Sequence, residues 1–181
     1  MSVSSIAVYC SARDNLDPAY VNAARDIGRR LASSGITVVY GGGGAGLMGE
    51  LASAALDARG SVVGVIPRSM VEQERAHTGL RELIVVETMH ERKAMMAGRA
   101  DAFLALPGGV GTLDEIFEAI TWNQLGIHEK PIVFLDLEGF YAPLRAFLEH
   151  AHRGGFIPRA TMDHIRFAPT PESALELPGL V

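Results

Sequence analysis

Short apolar runs rich in β-branched residues alternate with amphipathic stretches along this chain. Residues 6–9 read as a first buried strand. Asp17-Pro18 then offers an N-cap with proline at the first helical position, and Val21, Ala24, Ile27 and Leu31 form a helical stripe stopped by Gly35. Residues 36–40 predict a second strand, followed by Gly41-Gly42-Gly43-Gly44-Ala45-Gly46 and a helix over about 47–59. Residues 61–66 predict a third strand closed by Pro67, and the polar segment 68–79, with no clear period, reads as a partly helical loop. A fourth strand at 83–86, a helix from 88 to about 98, and a fifth strand at 102–106 follow. The pattern ends with helices over about 112–125 and 141–152, a sixth strand at 132–135, and a short strand near 165–167.

Strands in strict alternation with helices imply right-handed crossovers and a parallel sheet covered on both faces. The strands are continuously apolar, as doubly buried strands should be. With no linker, repeat or low-complexity tract, the expectation is one doubly wound, Rossmann-like α/β domain over residues 1–181. Its parallel sheet would have about six to seven strands flanked by helices, with ligands beyond their carboxyl ends.

Composition narrows this without changing it. Hydrophobic residues make up 48 % and charged residues 20 % of 181 positions, enough for a sizeable core and too little for two ordinary ones. Cys10 is the single cysteine, which excludes an intrachain disulfide and a thiolate metal cluster. The first residues lack a signal-peptide pattern, and no apolar run approaches the roughly 18 residues of a membrane span. A cytoplasmic protein with no membrane partner is expected. The net charge of −5, with basic residues scattered, argues against nucleic acid as a partner and leaves room for a small phosphorylated ligand.

Two glycine-rich loops, 41–46 and 107–111, leave predicted strand ends and enter helices. Such loops let backbone N–H groups approach an anion, and the following helix adds its positive end. Together on one sheet edge they point to phosphate or nucleotide binding, although tight turns need glycine for steric reasons too. Neither is a P-loop, and the third strand ends in Pro67-Arg68 where a dinucleotide fold would carry a ribose-binding acid. Thr112-Leu113-Asp114-Glu115 fits a capping box. Glu115 can therefore serve the helix, or it can face a ligand and stabilise an oxocarbenium-like centre. Asp114 and Glu118 read as solvated or dipole-complementing groups.

Thr88 to Glu91 forms a second capping-box pattern, placing Arg92 and Lys93 early in a helix, where cations oppose the macrodipole. An anion held there would explain them; a solvated basic pair is the alternative. His90 has no second histidine at ligand spacing, so no metal site is expected. His77, His128, His150, His152 and His164 read as surface or packing residues. Cys10 reads as structural or ligand-lining, and Met48, Met95 and Met96 as core or wall.

Met89-His90-Glu91-Arg92-Lys93, followed by Pro107-Gly108-Gly109-Val110-Gly111-Thr112-Leu113-Asp114-Glu115, resembles the paired signature of the LONELY GUY family. Tyr40-Gly41-Gly42-Gly43, Gly46-Leu47-Met48-Gly49 and Thr121-Trp122-Asn123-Gln124-Leu125-Gly126 extend the likeness over most of the chain. These proteins are cytokinin riboside 5′-monophosphate phosphoribohydrolases, often labelled lysine decarboxylases. The resemblance implies hydrolysis of the N-glycosidic bond of an N6-substituted AMP, without cofactor or metal, in a homodimer. It implies Arg92 and Glu115 as the catalytic pair. Glu74, Met89, Lys93, Gly43, Gly108, Gly109, Val110, Gly111, Thr112, Leu113, Asp114 and Thr121 would be substrate contacts. After Val8-Tyr9-Cys10 the family usually continues Gly-Ser-Ser, whereas this chain has Ser11-Ala12-Arg13. The competing readings are a general AMP nucleosidase and a non-catalytic carrier of a nucleotide or molybdenum cofactor. Lysine decarboxylation would need a Schiff-base lysine and pyridoxal phosphate, for which the sequence offers no convincing pocket.

Overall fold

The computed structural model describes residues 3–71 and 76–176. Seven strands form one parallel sheet: β1 (Ser5–Tyr9), β2 (Thr37–Tyr40), β3 (Val62–Pro67), β4 (Glu82–Val86), β5 (Ala102–Ala105), β6 (Ile132–Leu135) and β7 (Ile165–Ala168). Their spatial order is β4-β3-β2-β1-β5-β6-β7. The chain winds outward from β1 to β4, then returns to place β5 on the other side of β1, so the order reverses between β1 and β5. Ile6 pairs in register with Ala102 and Tyr9 with Ala105. The crevice beyond those two strand ends is the switch point, where such sheets bind ligands.

The connecting helices are α1 (Pro18–Ser33), α2 (Gly46–Asp57), α3 (Met89–Arg99), α4 (Val110–Gln124), α5 (Ala142–Arg153), α6 (Arg159–Asp163) and α7 (Pro171–Leu175). Alternate strand residues feed two apolar layers. Ile6, Val8, Val38 and Leu104 pack with Ile27 and Leu31 of α1, Leu47 and Leu51 of α2, and Leu175 of α7. Ala7, Tyr9, Val39 and Phe103 pack on the opposite face with Met96 of α3, Ile116 and Ile120 of α4, and Leu148 of α5. Period-two alternation along the inner strands supplies both layers, so the centre of the sheet is buried on both sides, while the edge strands β4 and β7 are partly exposed.

The predicted strands and five long helices are all present. Asp17 caps α1 by accepting from the Ala19 N–H at 2.8 Å, with Pro18 at the first position. The segment read as a partly helical loop contains a 3₁₀ turn, Arg68–Met70, and an isolated bridge from Ala76 to Gly43. The five-residue helices α6 and α7 were not predicted, because so short an element shows hardly more than one turn of periodicity. Met96 is core, Met48 lies at the wall of the crevice, and Met95 is 37 % exposed.

Candidate active site

A cleft of about 490 Å³ lies at the switch point. The loop after β1 contributes Cys10 to Arg13, and the start of α4 contributes Gly109 to Thr112 with Asp114 and Glu115. Met48, Met70, Met89 and Arg92 come from the segments after β2, β3 and β4. Concavities of similar volume lie against the outer surfaces of α1 and α2, about 450 Å³, and beside β7, about 560 Å³. Volume therefore does not single out the site. Position beyond the strand ends and side-chain chemistry do.

Arg92 is 2 % exposed, and two backbone carbonyls help to fix its location. Its Nη2 donates to the Gly41 carbonyl at 2.7 Å and its Nε to the Val65 carbonyl at 3.1 Å. Nη1 faces the sulfurs of Met70 and Met89 at 3.9 and 3.8 Å. A guanidinium can be buried only if such bonds replace its water, and these two tie it to the ends of β2 and β3. Gly41 makes the approach possible, since a Cβ there would collide with Nη2.

Glu115 is 6 % exposed and reaches the same cleft from α4. The capping-box reading of Thr112 to Glu115 is corrected by where the helix begins. Gly109 is the N-cap, no side chain caps it, and Val110 is the first helical residue, so Thr112 is already inside the first turn. Thr112 is buried and packs against Gly108, where a Cβ would collide with its hydroxyl. Tyr9 lies nearby: burial, then the negative charges of Glu115 and Glu118, push its phenol pKa well up, against a smaller opposing effect of Arg92. It stays protonated across the physiological range.

Lys93 does not face the cleft. Its Nζ lies 3.1 Å from Asp114 and 2.7 Å from Glu118, so the lysine bridges α3 to α4. The Glu118 hydrogen bond, outweighing partial burial, raises its pKa together with Asp114, and it stays charged. Asp114 and Glu118, expected to be solvated, are the partners of that bridge. An anion is thus not needed to explain either cation on α3. Thr88 does cap that helix, accepting from the Glu91 N–H at 3.1 Å, while Glu91 accepts from the Glu87 N–H at 2.9 Å, one residue outside a strict capping box.

The glycine loop 41–46 also departs from expectation as a phosphate cradle. At the α2 N-terminus, the Gly46 N–H donates to Asp14 Oδ1 at 3.1 Å and the Met48 N–H to the Ser11 carbonyl at 3.3 Å. Protein groups therefore occupy these donors. At the α4 N-terminus no side chain caps and no acid lies in the first turn, while Gly109, Val110 and Gly111 are exposed beside the cleft.

Of the predicted contacts, Met89, Arg92, Gly109, Val110, Gly111, Thr112, Asp114 and Glu115 line the cleft. Gly43, Gly108, Lys93, Leu113 and Thr121 do not. Gly43 is buried and bridges Ala76, and Leu113 packs into the core. Thr121 is exposed and donates to the Phe117 carbonyl, six residues or roughly 9 Å along α4 from Glu115. Glu74 lies outside the described residues. Sequence reasoning missed Arg13 and Met70 as cleft residues, and Tyr141 as a support. The Tyr141 hydroxyl donates to the Leu106 carbonyl at 2.7 Å and accepts from the Gly108 N–H, bracketing the loop before α4. Among the described residues no three His, Cys, Asp or Glu side chains gather as a metal site, and no helix is long and apolar enough to cross a membrane.

Residues 48–177 match the family profile described as "Possible lysine decarboxylase". A cytokinin riboside 5′-monophosphate phosphoribohydrolase of Rhodococcoides fascians is 51 % identical over 162 residues, covering 89 % of this chain and 82 % of that protein. The rice enzyme of the same name is 47 % identical, covering 91 % and 68 %, and an Arabidopsis thaliana one is 44 % identical, covering 91 % and 77 %. Among solved structures, the molybdenum cofactor binding protein of Rippkaea orientalis superposes with a TM-score of 0.74 at 22 % identity, covering 97 % and 95 % of the two chains. The carrier protein of Chlamydomonas reinhardtii gives 0.72 at 20 %, covering 94 % and 92 %. These two likenesses speak for the fold. The sequence matches go further: this chain belongs to the family described as possible lysine decarboxylases, of which these cytokinin riboside 5′-monophosphate phosphoribohydrolases are relatives.

Proposed function

We propose that the protein hydrolyses the N-glycosidic bond of N6-substituted AMP, releasing the free base and ribose 5-phosphate. The observation that carries this reading is the meeting of buried Arg92 and Glu115 in one cleft beside an uncapped helix N-terminus. Identity of 51 % to an enzyme of that name supports it.

In this mechanism the 5′-phosphate sits against the first N–H groups of α4, where the dipole and unpaired donors favour an anion. Glu115 faces the ribose. As the C1′–N9 bond breaks, its electron pair leaves with the base, and positive charge on C1′ and the ring oxygen is stabilised by the carboxylate. Water adds to C1′, Glu115 orients it, and its proton goes to the departing base, so substrate and water balance the two products. Arg92, held by Gly41 and Val65, orients the substrate and offsets charge on the leaving group. Lys93 acts at one remove, pinning Asp114 and Glu118 of α4 to α3 so that Arg92 and Glu115 keep their spacing.

The proposed enzyme is a cytoplasmic homodimer, for which exposed Val110, Leu125 and Ile127 supply apolar surface. Product analysis with N6-isopentenyl-AMP, AMP and the matching nucleosides tests the function. Free base and ribose 5-phosphate from the N6-substituted monophosphate are expected. Base release that is equally fast from plain AMP would replace this reading by a general AMP nucleosidase, and no release from any of them would overturn it.

A further inference from the structure

We propose that Arg13 is the cation that grips the substrate's 5′-phosphate, and that it sets the preference for nucleoside 5′-monophosphates over nucleosides. The proposal rests on the phosphoribohydrolase reading of the cleft. It starts from a charge imbalance. A phosphate monoester brings between one and two negative charges at neutral pH into a cleft that already holds the carboxylates of Asp114 and Glu115. A helix N-terminus contributes the equivalent of about half a positive charge. A full cation is needed beside it.

The cations near the cleft are not equivalent. Lys93 is held by Asp114 and Glu118 and does not line it. Arg92 does line it, but directs Nε and Nη2 to the Val65 and Gly41 carbonyls and Nη1 toward two methionine sulfurs. Arg13 lines the same cleft, is exposed, and its guanidinium has no hydrogen-bond or ion-pair partner among the described residues.

Geometry aims it at the open helix. Tyr9 of β1 and Ala105 of β5 are paired in register. Arg13 lies four residues past Tyr9, and Gly109, the N-cap of α4, four past Ala105. Both line one cleft across the switch point. The loop carrying Arg13 is anchored by its backbone: the Arg13 N–H donates to Ser11 Oγ at 3.1 Å, Ser11 accepts from Met48, and Asp14 accepts from Gly46. Its backbone is fixed while its side chain is left for the ligand. A guanidinium there can present two parallel N–H groups to phosphate oxygens, which a lysine cannot match.

The test is calorimetric titration of ribose 5-phosphate into wild type, Arg13→Ala and Arg13→Lys, alongside kcat/KM for a 5′-monophosphate and its nucleoside. Arg29→Ala, on the outer surface of α1, removes the same charge away from the cleft and controls for long-range attraction. Arg13→Ala is expected to weaken ribose 5-phosphate binding at least tenfold and to cut the monophosphate-to-nucleoside ratio by a similar factor, with Arg13→Lys in between. Unchanged affinity in Arg13→Ala, or an equal loss in Arg29→Ala, overturns the assignment while leaving base release by the wild type to stand. Ribose 5-phosphate binding that depends on Arg13 in a protein that releases no base would support the assignment and overturn the phosphoribohydrolase reading.

Discussion

Glu115→Gln separates the two roles open to this residue in the sequence, helix cap and catalytic carboxylate. The substitution keeps size and one acceptor oxygen, turns the other into an amide donor, and removes one negative charge. Because α4 begins at Val110, Glu115 is the sixth helical residue, beyond the first turn where caps and dipole effects act. Loss of a cap would cost about 1 kcal/mol of stability and leave turnover alone. As a catalytic group it is 6 % exposed, so solvent screens it poorly. A unit charge about 4 Å from a developing oxocarbenium contributes roughly 4 kcal/mol at an effective dielectric of 20. Measured losses for single positioned groups run near 3 kcal/mol. At 1.36 kcal/mol per decade, kcat should fall by about two to three decades. Steady-state release of base from N6-isopentenyl-AMP measures it, with circular dichroism confirming the fold. A kcat within threefold of wild type would refute the reasoning.

Two further outcomes follow from the surroundings of the site. Tyr141→Phe leaves the Leu106 carbonyl and the Gly108 N–H without their partner in a buried position, costing about 1–3 kcal/mol. Thermal melts should show this, and a loosened loop should raise KM for the monophosphate more than it lowers kcat; an unmoved KM would remove Tyr141 from the loop's support. Asp101 is a stability test with a pH signature: partial burial alone would raise its pKa, but hydrogen bonds from the backbone and hydroxyls of Ser4 and Ser5 outweigh it and hold the carboxyl below its ordinary value. A depressed folded-state pKa stabilises the fold above the unfolded value of about 4, and that stabilisation is lost as pH falls through the folded value. Asp101→Ala should therefore lower Tm by roughly 2–6 °C at pH 7 and progressively less below pH 4; a gap that is constant with pH would contradict this.

The sheet was legible because its inner strands are apolar on both faces, so residues such as Ile6 to Tyr9 announce themselves without reference to partners. Helix starts were legible where a side chain does the capping, as at Asp17 and Thr88. At α4 the true cap is Gly109, which has no side chain to advertise it, and the downstream Thr-x-x-Glu pattern imitates a cap three residues late. The site was half legible. Burial of Arg92 depends on carbonyls 27 and 51 positions away, and Lys93 on carboxylates 21 and 25 positions away; no local pattern encodes such pairings. Leu113 and Thr121 belong to the matched motifs yet face the core and solvent, because a helix turns about 100° per residue and spreads consecutive residues around its axis.

The two glycine-rich loops show why a motif is a statement about backbone geometry before it is one about ligands. Both follow strands and open helices, and both use glycine where a Cβ would collide with a neighbouring side chain, Arg92 at Gly41 and Thr112 at Gly108. What separates them is the segment each helix end faces. The start of α2 faces the loop after β1, which supplies the Asp14 carboxylate and the Ser11 carbonyl, so its donors hold the protein's own oxygens. Among the described residues no side chain caps the start of α4, and Asp114 near it is drawn toward Lys93. The same loop after β1 thus closes one helix end with Ser11 and Asp14 and lines the cleft at the other with Arg13. An anion is drawn to the open end because no acid competes for it in the first turn. On this account Asp14→Ala should open α2 and loosen the loop without creating a second phosphate site, since the backbone carbonyl of Ser11 still holds Met48.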